Sequence, residues 1–373
     1  MENRLDLNEL GRRLKMVDGH WMAILAQRMY LGRLVEEFKR IEKQPLIRPQ
    51  IEAERIEAAK IIAAENGLNP NFIASMLYFI IGETCRVEIE QLQSGEELPD
   101  LSQEKLKENL LALTHEIASS YDQTYEAGFF ATRSYLVFED TVIKREIGNL
   151  RTLNNLDLAI DLGCATGNTA FKLAEHFKKV VGYDISFDMV EEAKKKLRKN
   201  KLANLSFQVA DIENGIPEES NSVSLVVMNL GTASDVFDIR QVLARIKRIL
   251  KPDGRFILSF YNSSALLYRC WFIPWPVSLV ASINQITHCL DVRFKSKLFS
   301  VHANPYSTRE VKKFLQQAEL SVSQIFTYPT ISSILPNEFF DEDEMQNLIK
   351  EVDRHFIESE TGAYLLVTGR KKV

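Results

Sequence analysis

The stretch IDLGCATGNT, residues 160–169, decides the fold of the longer part of this chain. It reads as a buried strand that ends at Asp161, followed by a turn and by a helix that begins near Thr169. The turn contains Gly163 and Gly167, which let the backbone approach a ligand where a Cβ atom would collide. It lacks the third glycine of the dinucleotide-binding pattern and the lysine of a phosphate-binding loop. A ligand held without a polyphosphate is therefore expected.

Patterns typical of strands and helices alternate from residue 156 onward. The strand candidates are LDLAIDLG (156–163), KKVVGYDIS (178–186), LSFQVAD (205–211), VSLVVMNLG (223–231), GRFILSFY (254–261), LSVSQIFTYP (320–329) and GAYLLVTGRKK (362–372). Helical patterns lie at 169–177, 187–200 and 239–250. This alternation predicts an α/β fold in which helices cover both faces of a parallel sheet.

Two further acids lie at the ends of the second and third strands. Asp184 follows Gly163 by 21 residues and is placed to accept hydrogen bonds from both hydroxyls of a ribose. Asp211 lies beside the same crevice, where its carboxylate can meet an adenine amino group. Together with Asp161, they favour a positively charged, nucleoside-like ligand without phosphates.

These motifs, with LKPDGRFILSF (250–260), resemble the class I S-adenosylmethionine (SAM)-dependent methyltransferases in order and spacing over roughly residues 113–373. The resemblance implies a Rossmann-like seven-stranded sheet and SAM as the cofactor. The implied cofactor-binding residues are Asp161, Gly163, Cys164, Ala165, Gly167, Asp184, Ile185, Asp211, Ile212, Asn229 and Leu230. In that family Asp184 would hold the ribose, Asp211 and Ile212 the adenine, and the stretch 229–231 would face the acceptor. The competing interpretation is a Rossmann-like domain that binds no cofactor.

Candidate residues for the methyl-acceptor side lie outside these motifs. Tyr121, Tyr125 and Arg133 precede the first strand, where related small-molecule methyltransferases carry a lid. The segment 264–308 is too long for an ordinary connector and contains His302, so it is a candidate cap over an apolar acceptor. For each of these residues taken singly, packing or solvent exposure is the favoured explanation over a role at the acceptor site.

Residues 8–92 read as helices and resemble the all-helical chorismate mutases. The matching segments are a long first helix with AQRM (26–29) and VEEFKR (35–40), a turn with Pro45 and Pro49, a second helix (51–67) and a third that begins at NPNF (69–72). That family binds a dicarboxylate through arginines and stabilises developing charge on an ether oxygen. The positions that carry functional side chains there are Arg28, Lys39, Glu52, Thr84 and Glu88 in this chain.

Other positions of the helical domain depart from the family pattern. Gly11 stands where an arginine is expected, Arg48 where an acid is expected, and Ile51 where a second arginine is expected. A glycine cannot bind a carboxylate, and Ile51 places an apolar group where an anion should lie. Reduced or altered mutase activity is therefore predicted, with Arg12 and Arg48 as replacement anion ligands. The alternative is a dimerisation or sensing module.

The two resemblances predict an all-α domain (1–93), a linker (94–112) and a methyltransferase domain (113–373). The expected activity is methyl transfer to a small molecule, such as a hydroxy or carboxylic acid derived from chorismate or prephenate. Two alternatives remain open. One is a bifunctional enzyme whose mutase supplies prephenate for a modification of SAM itself, and the other is a SAM-binding dimeric regulatory scaffold.

Composition sets the broader expectations. A net charge of −5 argues against a nucleic-acid partner. The four cysteines are far apart, which indicates neither a zinc site nor a disulfide framework and fits the reducing cytoplasm. The most apolar stretch, 264–283, is interrupted by Arg269, Pro274 and Pro276, so no membrane span is expected. Three helices close a poor core alone, which predicts a homodimer through the helical domain.

Overall fold

The computed structural model describes residues 7–41, 49–93, 101–126, 128–269, 281–284, 288–294, 297–335, 340 and 343–372. The chain divides into two compact units, Met1–Asp100 and Leu101–Val373. Within the described ranges, no helix combines the length and the apolar character that crossing a bilayer requires.

The first unit contains the three predicted helices, α1 (Leu7–Ile41), α2 (Pro49–Glu65) and α3 (Pro70–Gln93). Proline occupies the first position of α2 and of α3, where no backbone donor is needed. The Asn69 side chain caps α3 by accepting the backbone N–H of Asn71 at 2.9 Å. Gly67 lies two residues after the end of α2. Its φ of +70° is the left-handed conformation that commonly terminates a helix.

The core of this unit is small. Among its described residues, the buried hydrophobic side chains are Ile56, Ala63 and Ala74. The part of α1 from Leu7 to Gln27 contains no buried residue. Because α1 has 35 residues, it is about 52 Å long at a rise of ~1.5 Å per residue, roughly twice the length of the 17-residue α2.

The second unit is built on a seven-stranded sheet in the order β3-β2-β1-β4-β5-β10-β9. Its strands are β1 (Leu158–Leu162), β2 (Lys179–Asp184), β3 (Leu205–Val209), β4 (Val223–Met228), β5 (Leu250–Tyr261), β9 (Leu320–Tyr328) and β10 (Tyr364–Lys371). The first five are parallel, whereas β10 runs antiparallel to both β5 and β9. All seven predicted strands are present. The strand order reverses between β1 and β4, which opens a crevice at their carboxyl ends.

Helices cover both faces of this sheet. They are α4 (Gln103–Ile117), α5 (Tyr121–Glu126), α6 (Phe130–Thr152), α7 (Asn168–Ala174), α8 (Phe187–Asn200), α9 (Ile239–Ile249), α10 (Leu266–Arg269), α11 (Thr308–Gln317) and α12 (Asp343–Arg354). One apolar core lies between the sheet and α9 with α11, and the other lies between the sheet and α6 to α8. The α4 helix begins within the stretch predicted as the linker.

A separate antiparallel sheet lies within the long segment 264–308. Its strands are β6 (Ala281–Asn284), β7 (Cys289–Phe294) and β8 (Lys297–His302), in that order. Leu113 of α4 packs on it against Phe299 and Val301. The sequence indicated a cap in this segment but did not predict these strands.

Candidate cofactor and acceptor site

The glycine-rich turn after β1 has the conformation that its sequence predicts. Gly163 and Gly167 have φ values of +74° and +89°, which favour glycine over other residues. A Cβ atom on Gly163 would lie 2.4 Å from the side chain of Thr232, and one on Gly167 would lie 2.5 Å from the Phe207 ring. Glycine at both positions therefore keeps the turn close to its neighbours.

Asp184 joins the turns that follow β1 and β2. Its carboxylate accepts the backbone N–H of Ala165 at 2.8 Å and that of Ser186 at 2.9 Å. Burial raises the pKa of Asp184 above the usual range of an aspartate. Three of the predicted cofactor residues, Asp184, Ala165 and Ile185, thus lie in two turns held together by one carboxylate.

Asp161 and Asn229 place unused acceptor oxygens at two adjacent strand ends. Asp161 is buried and accepts the N–H of Ala170, but its Oδ2 atom has no hydrogen-bond partner among the described residues. Asn229 donates to Thr169 at 2.5 Å, and its Oδ1 atom is likewise buried without a donor in the described part of the chain. Because buried polar atoms are almost always paired, these oxygens mark where a ligand can supply donors.

Carboxyl groups are concentrated in the same crevice. Burial, and then the nearby charge of Asp184, raises the pKa of Asp161 to about 7. Burial also raises the pKa of Asp235 to about 8, and Asp184 again contributes. A cation bound here would stabilise the ionised form of all three carboxyl groups. Asp235 was not among the predicted site residues, because it follows a short helical turn (Thr232–Ser234) rather than a strand end.

The predicted adenine side includes a lysine that the sequence did not single out. Lys107 of α4 donates to Asp211 Oδ2 at 2.7 Å and lies 3.4 Å from Glu213. Asp211 Oδ1 accepts the backbone N–H of Glu213 at 2.9 Å. Lys107 and Asp211 are 104 positions apart, so only the fold brings them together.

His302 belongs to the same side of the crevice as Lys107. Its ring stacks on Phe237 with 4.1 Å between centroids, and the Lys107 nitrogen lies 5.7 Å from the centroid of the same Phe237 ring. Burial lowers the pKa of His302 to about 4, so the imidazole is neutral at pH 7. A neutral imidazole has a lone pair that can accept a proton.

The predicted lid is tied to the cofactor turn by Asp122, another residue that the sequence did not single out. Its carboxylate in α5 accepts from Thr166 at 2.6 Å and from Asn168 at 3.0 Å, and it pairs with Lys196 at 2.6 Å. Although burial opposes the shift, these donors hold the pKa of Asp122 below its usual range. The predicted Tyr121 begins α5 and is half-buried.

The structure leaves the other predicted lid residues apart from these contacts. Arg133 is exposed in the first turn of α6. The side chain of Tyr125 lies outside the described part of the chain.

In the helical unit, Arg28 and Thr84 lie together. The Arg28 guanidinium donates to the Thr84 hydroxyl and to the carbonyl of Ile80 at 3.4 Å. Lys39 is buried on α1, 11 residues or about three turns beyond Arg28, and therefore on the same face. Glu52 is half-buried. Arg48 and the side chain of Glu88 lie outside the described residues.

Comparison with known proteins agrees with both units. The family model described as "Methyltransferase domain" matches residues 154–319, and "Chorismate mutase type II" matches residues 10–89. The chain is 31% identical over 178 residues to a ubiquinone/menaquinone biosynthesis C-methyltransferase of Rickettsia bellii, covering 46% of this chain and 68% of that enzyme.

Two other relatives are matched over shorter shares of their length. A demethylmenaquinone methyltransferase of Lactococcus lactis is 30% identical over 154 residues, covering 40% of this chain and 58% of the relative. A SAM-dependent Diels-Alderase of Talaromyces variabilis is 34% identical over 103 residues, covering 26% and 34%.

The strand order β3-β2-β1-β4-β5-β10-β9, in which β10 runs antiparallel to its two neighbours, and the glycine-rich turn after β1 define a class I methyltransferase fold. The chain belongs to the SAM-dependent methyltransferases, with a chorismate mutase type II domain before the methyltransferase domain. The predicted family and fold class are thereby confirmed, as is SAM as the cofactor. The crevice fits SAM, because its unused oxygens and raised carboxyl pKa values suit a ligand with an ammonium and a sulfonium.

We expect SAM to bind more tightly as the pH rises. The ionised form of Asp161 is disfavoured in the free protein, where its pKa is about 7, and a bound cation favours that form. Binding therefore releases a proton, and the dissociation constant at pH 6 should be about tenfold larger than at pH 8. Isothermal titration calorimetry in two buffers with different ionisation enthalpies measures both quantities.

Asp161→Asn should weaken binding and reduce this slope. The control, Asp140→Asn, changes an acid that pairs with Lys144 and Lys172 and should leave the slope intact. A dissociation constant that is independent of pH, or smaller at pH 6, would contradict the expectation.

Proposed function

We propose that residues 113–373 transfer the methyl group of SAM to a small-molecule acceptor. The observation that carries this proposal is the buried oxygen of Asp161, which has no partner among the described residues, in a crevice that it shares with Asp184 and Asp235. SAM supplies a methyl group already activated by its sulfonium charge. The protein then has to bind, align the acceptor and exclude water.

The proposed binding roles follow the strand ends. Asp161 and Asn229 accept from the ammonium of the methionine part, and Gly163, Cys164 and Gly167 keep the backbone close to it. Asp184 accepts from the ribose hydroxyls. Asp211 and Ile212 hold the adenine, and Lys107 fixes the Asp211 carboxylate through the 2.7 Å contact.

We propose His302 as the candidate base for an acceptor that must lose a proton. Its low pKa keeps the imidazole neutral, and its Nε2 atom is buried without a partner among the described residues. Tyr121, Tyr125 and Arg133 stay candidates for the acceptor side through their place at the lid.

Two features of the chain support an aromatic or unsaturated acid as the acceptor. The Tyr261 ring lies beside Gly231, and the Tyr364 ring lies next to Tyr261 with 5.7 Å between centroids. Aromatic rings suit an aromatic or unsaturated acid. The attached mutase-type domain points to acids derived from chorismate or prephenate.

Incubation of the full chain with methyl-labelled SAM and a panel of chorismate- and prephenate-derived acids should give one labelled product. Mass spectrometry should show a gain of one methyl group, because the sulfonium carbon is transferred intact. Asp184→Asn should lower the rate by about 100-fold through lost ribose binding, about 2.7 kcal/mol.

The same spectra separate the alternatives. A carboxylated SAM formed with prephenate would indicate the SAM-modifying enzyme. SAM binding without turnover on any acid would favour the regulatory scaffold.

We propose that the helical domain has altered chorismate mutase activity. Arg28, Thr84 and Lys39 support an anion pocket, because Arg28 contacts Thr84 and Lys39 is buried on the same face of α1. Ile51 weakens that pocket, since its side chain offers no donor where the family has an arginine. Arg48 is the proposed replacement ligand.

Ile51→Arg should raise chorismate consumption about tenfold, because a charge-assisted hydrogen bond contributes ~1.5–3 kcal/mol. The decrease in chorismate absorbance measures it. Ile61→Arg is the control, since it places the same cation on α2 at a more exposed position, 61% against 39%. Equal rates in the native chain and in Ile51→Arg would show that Arg48 suffices.

We propose that the helical unit pairs with a second copy. One stripe of α1 carries Leu10, Leu14, Val17, Trp21 and Ile24, all at least 40% exposed. A three-helix unit whose buried hydrophobic set is so small gains most by covering this stripe.

Val17→Glu should convert a dimer into a monomer, seen as a halved mass by light scattering after size-exclusion chromatography. A buried charge at this interface would remain unpaired. Met22→Glu is the matched control, because Met22 has nearly the same exposure, 58% against 60%, but points about 140° away around the helix. A native chain that is already monomeric would refute the pairing.

A further inference from the structure

Glu139 is a buried acid that the proposed reaction does not use. It lies in the middle of α6 with 2% of its surface exposed. Its hydrogen bonds come from the backbone N–H of Leu230 at 3.1 Å and from the Tyr135 hydroxyl at 3.1 Å. Among the described residues, no lysine or arginine lies within ion-pair distance of it.

Glu146 shows what a purely structural acid looks like on the same helix. It follows Glu139 by seven residues, lies on the same face and is also 2% exposed. It is neutralised by Arg255 at 2.7 Å and Arg145 at 2.9 Å. A buried acid without such a partner is costly, and burial raises the pKa of Glu139 to about 8.

The contacts of Glu139 converge on the loop after β4. Tyr135 links Glu139 to Ser259 of β5, with 2.5 Å between the two hydroxyl oxygens. Ser259 in turn accepts the backbone N–H of Gly231 at 2.8 Å. The amides of two consecutive residues, Leu230 and Gly231, are thus held by one network that begins at Glu139.

This loop needs such support. Leu230 has φ +49° and Gly231 has φ +84°, so a leucine occupies the left-handed region that non-glycine residues rarely adopt. A Cβ atom on Gly231 would lie 2.4 Å from the Tyr261 ring, which shows how closely the loop packs. Backbone strain of this kind persists only where its surroundings determine the conformation, and it clusters at functional sites.

We propose that Glu139 is the positioning residue of the acceptor-facing loop 229–231, fixing Leu230 directly and Gly231 through Tyr135 and Ser259. The inference rests on the proposed function for the direction in which this loop faces. Glu139 itself touches neither cofactor nor acceptor in this assignment. It acts through the backbone that aligns the acceptor with the methyl group.

Hydrogen–deuterium exchange of the full chain tests this without an acceptor. Glu139→Ala should speed exchange of the Leu230 and Gly231 amides at least tenfold, whereas Glu139→Gln, which keeps an acceptor oxygen, should restore protection. Glu146→Ala is the matched control and should destabilise the fold while leaving this loop protected. If Glu139→Ala does not fold, Tyr135→Phe keeps the buried ring, removes the link to Ser259 and should still expose the Gly231 amide.

A functional measurement then separates positioning from packing. With an acceptor in hand, Glu139→Ala should lower kcat about 100-fold and change KM for SAM less than threefold, and Glu139→Gln should recover most of kcat. Unchanged loop exchange in a folded Glu139→Ala, failure of Glu139→Gln to restore it, or equal loop exposure in Glu146→Ala would overturn the proposal. Failure to find any methyl acceptor would leave the exchange result to decide it, because exchange needs no turnover.

Discussion

Unneutralised acid at the carboxyl ends of parallel strands is the constraint on which the rest of the methyltransferase unit depends. Asp161 and Asp184 lie at the carboxyl ends of the adjacent strands β1 and β2, and Asp235 lies beyond β4. A buried acid of this kind is stabilised in its ionised form by backbone donors, by a cationic side chain or by a bound cation. Within the described ranges, Asp184 has two backbone donors, whereas Asp161 has one and keeps an oxygen without a donor. The crevice at which the strand order reverses is therefore suited to bind a cation.

For this crevice to select one ligand, the turns around it have to lie close together and be rigid. Gly163 and Gly167 permit the approach of the turn after β1, and Asp184 fixes it to the turn after β2. Asp122 and Lys107 then tie the preceding helices to two different turns. Each of these contacts is a charge-assisted hydrogen bond. A water molecule or a ligand group can make the same kind of contact.

The sequence predicted what is local and periodic. All seven sheet strands and helix α8 (187–200) were predicted, because alternation and helical periodicity depend on neighbouring residues. The start of β5 was placed at Gly254, whereas the strand begins at Leu250. The stretch KPDG (251–254) has the composition of a turn. In the structure it forms a bulge within β5, and the residues before and after this bulge pair with β4. The predicted parallel sheet was wrong at β10, which runs antiparallel to β5 and β9, since the direction of a strand depends on its connections rather than on its composition.

The site residues divide in the same way. Asp161, Asp184 and Asp211 could be found because they end strands, whereas Lys107, Asp122, Asp235 and Glu139 carry no local signal. Each of those four is an ordinary charged residue in a helix or turn until the fold places it. Lys107, Asp122 and Glu139 meet partners 44 to 104 positions away along the chain. The sequence thus identifies the chemistry of the cofactor, while the groups that orient it emerge only from packing.

The helical unit poses the opposite problem, because its functional residues resemble a family pattern while its own core is thin. Among the described residues of this unit, the buried hydrophobic side chains are Ile56, Ala63 and Ala74, which bury too little surface to offset the ordering of three helices. Covering the exposed apolar stripe of α1 would therefore stabilise this unit. Arg28 and Lys39 lie on that same long helix, so covering the stripe would also fix the helix that carries the anion ligands. In this unit, dimerisation and ligand binding both depend on α1, so a change that weakens one should weaken the other.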